Sequence, residues 1–233
     1  MKSKKILSII IAVVMAASVF AALPATASAR QALEYKTGKK SYSENGVTYV
    51  KLTVKLPKLT AKTKAAKKIN TYFTKLKNKY KKEAKRLVSS AKSDYKDNPE
   101  YFNSYSITLK AKLMYNKNGV YSFKIVNGTY TGGAHPNSFV KGVNFSSKTG
   151  GKLSVSKLTK YSPSALKSKI IKATCKKIDK NPKLFYNDAK TTVRNTKLNS
   201  FNCILKGDYL YVVYQTYELA PYAAGPIKVK IKL

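Results

Sequence analysis

Between Val47 and Tyr95 the spacing of apolar residues changes from two to three and four, which restricts the chain to folds in which a sheet carries a helix. Val50, Leu52, Val54 and Leu56 alternate with Lys51, Thr53 and Lys55, the pattern of a half-buried strand with lysines on its wet face. Glu44-Asn45-Gly46 signals a turn before it, and Pro57 reads as its end. From about Lys62 to Tyr95, a stripe running from Ile69 through Phe73, Tyr80 and Ala84 to Ala91 predicts a long amphipathic helix. Thr60 or Thr63 would cap it. Twelve basic residues lie in this stretch, mostly off the stripe, so they form a solvated face by default and a binding face as the alternative.

Alternation returns in Ser104–Tyr115 and, across an Asn118-Gly119 turn, in Val120–Val126. Asn127-Gly128 is a second turn signal or a bulge, and Phe139–Phe145 reads as another strand. A shorter helix runs from about Pro163 to Asp179, with Leu166, Ile170, Thr174, Cys175 and Ile178 on its inward stripe. Phe201–Leu205 and Tyr209–Tyr217 form a hairpin, and Ile227–Leu233 is a closing strand. The expected class is α+β, with mixed, mainly antiparallel sheets, one long and one shorter helix, and two packed subdomains at residues 43–115 and 116–233.

Compartment is written at the N-terminus. Lys2, Lys4 and Lys5 precede an apolar run from Ile6 to Leu23, Pro24 breaks it, and Ala27-Ser28-Ala29 has the small-residue spacing of a signal-peptidase site. Residues 1–29 are thus expected to be a signal peptide followed by a polar lead-in at 30–42, and the protein to be secreted or cell-wall associated. An uncleaved signal would make it a membrane anchor; no later segment predicts a span. Cleavage removes three lysines and leaves 43 basic against 10 acidic residues, a formal charge of +33 over 204 residues. Export permits a disulfide between Cys175 and Cys203, with two buried thiols as the alternative.

The residue inventory excludes most catalytic classes. One histidine cannot build a multi-histidine metal site, and two cysteines lack zinc spacing. Ten carboxylates lie scattered without a close acid–base pair, and neither a nucleophile elbow nor a phosphate-binding glycine loop occurs. No cofactor and no metal are implied.

Two segments depart from the strand-and-turn pattern. Tyr130-Thr131-Gly132-Gly133-Ala134-His135-Pro136-Asn137 pairs two glycines with a histidine that the following proline holds extended. Tyr217-Glu218-Leu219-Ala220-Pro221-Tyr222-Ala223-Ala224-Gly225-Pro226 sets small residues between prolines and presents Tyr222, with Glu218 beside it. Either both are corners required by the fold, or they adjoin as a recognition surface made of Tyr130, Gly132, Gly133, His135, Pro136, Asn137, Glu218, Pro221, Tyr222 and Gly225.

These two segments, with Val143-Asn144-Phe145-Ser146-Ser147-Lys148-Thr149-Gly150-Gly151-Lys152-Leu153-Ser154-Val155 between them, resemble a family of envelope domains. It comprises the extracytoplasmic domain of the anti-sigma factor RsiV and the non-catalytic N-terminal region of the peptidoglycan deacetylase PdaC. The likeness runs from about Ser43 to Leu233. It implies a two-part α+β fold and work in the cell envelope, where the RsiV domain binds lysozyme. Only five residues precede the apolar run and no deacetylase domain follows, so neither a sigma-binding segment nor an output enzyme is expected.

The expected function is a secreted, non-enzymatic envelope module that recognises a wall component, an anionic wall polymer or a wall-acting protein. A glycan- or peptidoglycan-modifying enzyme centred on His135 is the alternative. The charge disfavours a cationic lysozyme without removing it, attracts anionic wall polymers, and is expected to make their binding salt-sensitive. Tyr72 and Tyr80 point inward from the basic helix, so no stacking row for bases is expected, and specific nucleic-acid binding ranks below wall polymer.

Overall fold

The computed structural model describes residues 33–233; the expected signal peptide lies outside them. Strand β1 (Leu33–Glu44) and β2 (Val47–Leu59) form a hairpin through Asn45 and Gly46, whose φ values of 49° and 79° suit the left-handed positions of a tight type I′ turn. On β2 the alternation holds: Val50, Leu52, Val54 and Leu56 are all buried. The polar lead-in proves to be strand β1. It has no apolar period, because it is almost wholly exposed and is held by backbone pairing to β2 along its length.

Pro57 does not end β2. The next strand, β3 (Tyr105–Lys117), pairs with β2 only from Val50 to Lys55, so at Pro57 β2 has a single neighbour and a missing donor is tolerated. Between β2 and β3 runs the long helix α1 (Lys64–Asp97), capped by Thr63, whose hydroxyl accepts from Ala66 N at 3.1 Å. Asn70 on its first turns grips the end of β2, accepting from Leu59 N (2.9 Å) and donating to Leu59 O (2.8 Å). The α1 crossover makes β2 and β3 parallel. Strands β4 (Val120–Tyr130) and β5 (Asn137–Ser146) then add antiparallel, giving the order β1-β2-β3-β4-β5. Asn127-Gly128 is neither turn nor bulge. Both residues lie inside β4, paired on each side.

The second part packs α2 (Pro163–Lys180) and a short third helix, α3 (Ala189–Asn195), on an antiparallel sheet. The strands of that sheet are β6 (Cys203–Lys206), β7 (Tyr209–Tyr214) and β8 (Ile227–Lys232). α3 escapes sequence reading because its seven residues bury only Ala189 and Val193. On α2 the inward line is Leu166, Ile170, Thr174 and Ile178, and Thr174 shares a hydrogen bond of 2.9 Å with the Tyr214 hydroxyl. Cys175 lies one residue round from that line and is half-buried. The expected Cys175–Cys203 bridge is corrected accordingly: both thiols are free, with Cys203 buried in the core.

The boundary drawn at 115/116 would cut the β3–β4 hairpin, whose register keeps β4 and β5 in the first sheet; the break between sheets follows β5. There the two parts meet backbone to backbone. A Cβ on Gly142 of β5 would stand 2.0 Å from the carbonyl oxygen of Cys203 on β6. The free edge of β5 is completed by side chains. Asn202 accepts from Gly142 N (2.7 Å) and donates to Val140 O (2.6 Å), while Gln215 accepts from Val140 N (2.9 Å). Asn144 donates to Cys203 O (3.0 Å), and Ser122 on β4 accepts from Leu205 N (2.9 Å). These amides replace a sixth strand, so the edge is neither bare nor open to pairing.

Candidate functional site

The first motif is the loop from β4 to β5, and the second is the loop from β7 to β8. In the first, Gly132 takes φ 88°, a conformation that favours glycine. A Cβ there would lie 3.7 Å from both Asp94 at the end of α1 and the ring of Tyr105 on β3. Tyr105 donates to Asp94 Oδ2 at 2.5 Å; burial, then this bond and the carboxylate charge, push its phenol up to about 12. Gly132 therefore rests on a tyrosine–aspartate pair that ties helix to sheet. Beside it is a 380 Å³ hollow lined also by Asp97 and by Tyr101, which is 73 % exposed.

The second loop is wound tightly on itself. Leu219 and Ala220 are buried, Tyr186 N donates to Leu219 O (3.0 Å), and Tyr217 N donates to Ala220 O (3.1 Å). Pro221 starts a single 3₁₀ turn, Tyr222–Ala224, that ends at Gly225 with φ 62°. Tyr217 also adopts a positive φ, 67°, which costs a non-glycine residue about 1–2 kcal/mol. The Tyr217 side chain is 56 % exposed.

The two loops touch. The His135 ring stacks on Tyr222 with centroids 3.7 Å apart and planes 14° from parallel. The Tyr222 hydroxyl donates to Pro136 O at 3.1 Å. Tyr217 lies 5.8 Å from Tyr222, so three aromatic rings form one ledge on the surface. Among the sequence-chosen residues, His135, Pro136 and Tyr222 are in contact, while Gly132, Pro221 and Gly225 shape the backbone that brings them there. Tyr130 and Asn137 are paired strand ends, opposite Ser106 and Thr129, and Gly133 has open space around it.

Glu218 turns back into its own loop, its carboxylate accepting from Gln215 N at 2.7 Å; desolvation raises its proton affinity despite that bond. Sequence reading left Tyr217 out of the site although it opens the second motif. Asp94 and Tyr105 carried no local signal at all, because a helix end and a strand start meet the loop only in three dimensions.

His135 and Tyr217 are exposed and Tyr222 is half-buried between them; such rings offer flat apolar faces with polar edges, suited to stacking against a sugar ring or a partner's side chain. Among the described residues, no hydrogen bond joins His135 to a carboxylate or hydroxyl, and no cluster of three or more His, Cys, Asp or Glu could hold a metal. No helix among them is long and apolar enough to cross a membrane.

Two family models match consecutive parts of the chain: one described as deacetylase PdaC over residues 43–138, and one described as a protein of unknown function (DUF3298) over residues 157–233. No curated protein matches. Among solved structures, a DUF3298-family member from Bacteroides fragilis is similar at 17 % identity and a TM-score of 0.66, covering 86 % of this chain and 90 % of its own. A DUF3298-family protein from Pseudomonas aeruginosa is similar at 15 % identity and a TM-score of 0.55, covering 87 % of this chain and 90 % of its own. At such identities the likeness is one of fold.

Proposed function

We propose a binding role for this chain, whose residues 43–138 match the family model described as deacetylase PdaC and whose residues 157–233 match the one described as a protein of unknown function (DUF3298). The role is that of an exported, non-enzymatic module of the cell envelope. Its ledge of His135, Tyr222 and Tyr217 recognises a wall component, an anionic wall polymer or a wall-acting protein such as lysozyme. The stack of His135 on Tyr222 carries this reading, because it unites the two motif loops in one exposed surface. Among the described residues no carboxylate or hydroxyl is hydrogen-bonded to His135 to orient it for proton transfer, which favours binding over catalysis. The leader-like N-terminus and the charge of +33 left after its removal support an envelope setting rich in anionic polymer.

Sedimentation with purified cell walls tests the role, comparing the protein with Tyr222→Ala at low salt and at about 0.5 M, where charge attraction is largely screened. Retention of the wild type at high salt, lost in Tyr222→Ala, is the expected result. Equal retention of both proteins at every salt concentration would remove the ledge as the site.

A further inference from the structure

A trough between β1 and α1, away from the two motif loops, is also shaped like a site. α1 packs mainly on β2 and β3 and meets β1 at its end, where the Tyr42 hydroxyl donates to Lys81 O and Lys92 pairs with Glu44, so the sheet face beneath the rest of β1 opens as a cavity of about 490 Å³. That falls within the roughly 300–1,000 Å³ typical of small-molecule sites. Its floor is apolar: Leu52, Val54 and Leu56 from β2, with Phe73 from α1. Gly38 supplies the width, since a Cβ built there meets nothing within 4 Å and its φ is not left-handed.

Both banks are cationic. Lys36 and Lys40 stand opposite Leu56 and Leu52 in the register and so share the floor's face, and Lys77 and Lys81 stand one turn apart on α1. With Lys39 and Lys58 at the rim, six of the fifteen described lining residues are lysines and none is acidic. That is about twice the chain-wide share of basic residues, 46 of 233, so the enrichment is local. From Lys36 to Lys40 the trough runs for about 13 Å along the strand, at ~3.3 Å per residue.

We infer that this trough binds an amphipathic anion, a single acyl chain bearing a phosphate head. The chain would lie on the Leu52–Leu56 floor, with the head held between the lysine banks as a point-charge contact. A phosphodiester polymer has no use for an apolar floor, and a neutral lipid has none for the ammonium groups of Lys36, Lys40, Lys77 and Lys81. The inference is independent of the aromatic ledge, which lies on other loops.

Calorimetric titration of the purified protein with dodecyl phosphate, below its micelle threshold and at physiological salt, tests it. One site per chain is expected. Gly38→Leu fills the trough at an open, unstrained position and should weaken binding at least about tenfold with an unchanged circular dichroism spectrum. Lys77→Gln with Lys81→Gln, on the exposed flank of α1, should weaken it about tenfold and flatten its salt dependence. Tyr222→Ala should bind as the wild type does. Equal affinity for dodecyl maltoside, or competition by inorganic phosphate alone, would overturn the pairing of chain and head. Unchanged binding by Gly38→Leu would overturn the location. A dimer that Gly38→Leu dissolves, without any binding of the probe, would assign the trough to a second copy of the chain instead.

Discussion

Where β5 crosses β6, the absence of a single side chain allows two sheets to join. A Cβ on Gly142 would meet backbone, 2.0 Å from Cys203 O and 2.6 Å from its carbonyl carbon, so neither partner can move aside cheaply. Gly142→Ala should therefore cost more than about 3 kcal/mol in denaturant unfolding, or prevent folding altogether. Gly38→Ala, in open space on β1, should be neutral or up to about 1 kcal/mol stabilising in the same measurement. Gly150 follows the first rule: its φ is 68°, and a Cβ would lie 2.5 Å from Ala65 O, which seats the turn after β5 on the first turn of α1. Nearby, Cys203 is buried and its thiol is pushed up to about 12, whereas Cys175 is half-buried. Iodoacetamide treatment of native protein, read by intact mass, should add one label at Cys175 and reach Cys203 only after unfolding. A Cys175–Cys203 disulfide in the native protein would contradict this.

Individual elements owe their ends and edges to polar side chains. Asn70 holds both backbone groups of Leu59, so Asn70→Ala should destabilise by about 1–3 kcal/mol in chemical denaturation, by leaving an N–H and a C=O unpaired where β2 meets α1. Lysine on β4 works in the opposite direction. Burial, and then Lys228, Lys206 and Lys112, lower the pKa of Lys124. Its native value lies below its unfolded one, so the charged form is penalised on folding. The penalty is complete at neutral pH and fades as pH rises through the lowered native value toward the ordinary one near 10.5. Lys124→Met should raise Tm by about 1–3 °C at pH 7, read by thermal melting. The share of that gain due to the three lysines should shrink with added salt, and the whole gain should shrink at alkaline pH.

For the whole molecule, charge and surface chemistry act over different ranges. On the proposed role, the formal charge of +33 left after removal of the leader would attract anionic wall polymer at long range without choosing among polyanions. Wall binding should thus have two parts. One is a strong component at low salt that is released by a few hundred millimolar, as the screening length falls to about 3–5 Å. The other is a smaller, salt-resistant component that depends on Tyr222. Walls stripped of anionic polymer should lose the first part in sedimentation; equal binding to stripped and intact walls would show the lysines to be a passive solvated surface.

The elements themselves were legible in the residues, because alternation and helical spacing report which face of a segment is buried. β2, α1, α2 and β8, with its buried Ile227, Val229 and Ile231, fall where their periods place them. So do the Asn-Gly hairpins, since Asn45 and Asn118 take the left-handed conformation that their turns demand. β1 was not legible, because backbone pairing holds most of an exposed strand, and the few side chains that tie it down, Leu33, Tyr35, Tyr42 and Glu44, show no strand period. Nor was the break after β5, where Asn202, Gln215 and Asn144 satisfy backbone groups that lie about 60 or more residues away in sequence. The two motif loops stood out by their glycines and prolines. Only the packing of β4 and β5 against β6, with Val140 against Val213 of β7, brings His135 onto Tyr222, and only the end of α1 places Asp94 under Gly132. Local sequence sets which backbone shapes a segment can take, whereas contacts between distant segments depend on how two sheets cross at one glycine.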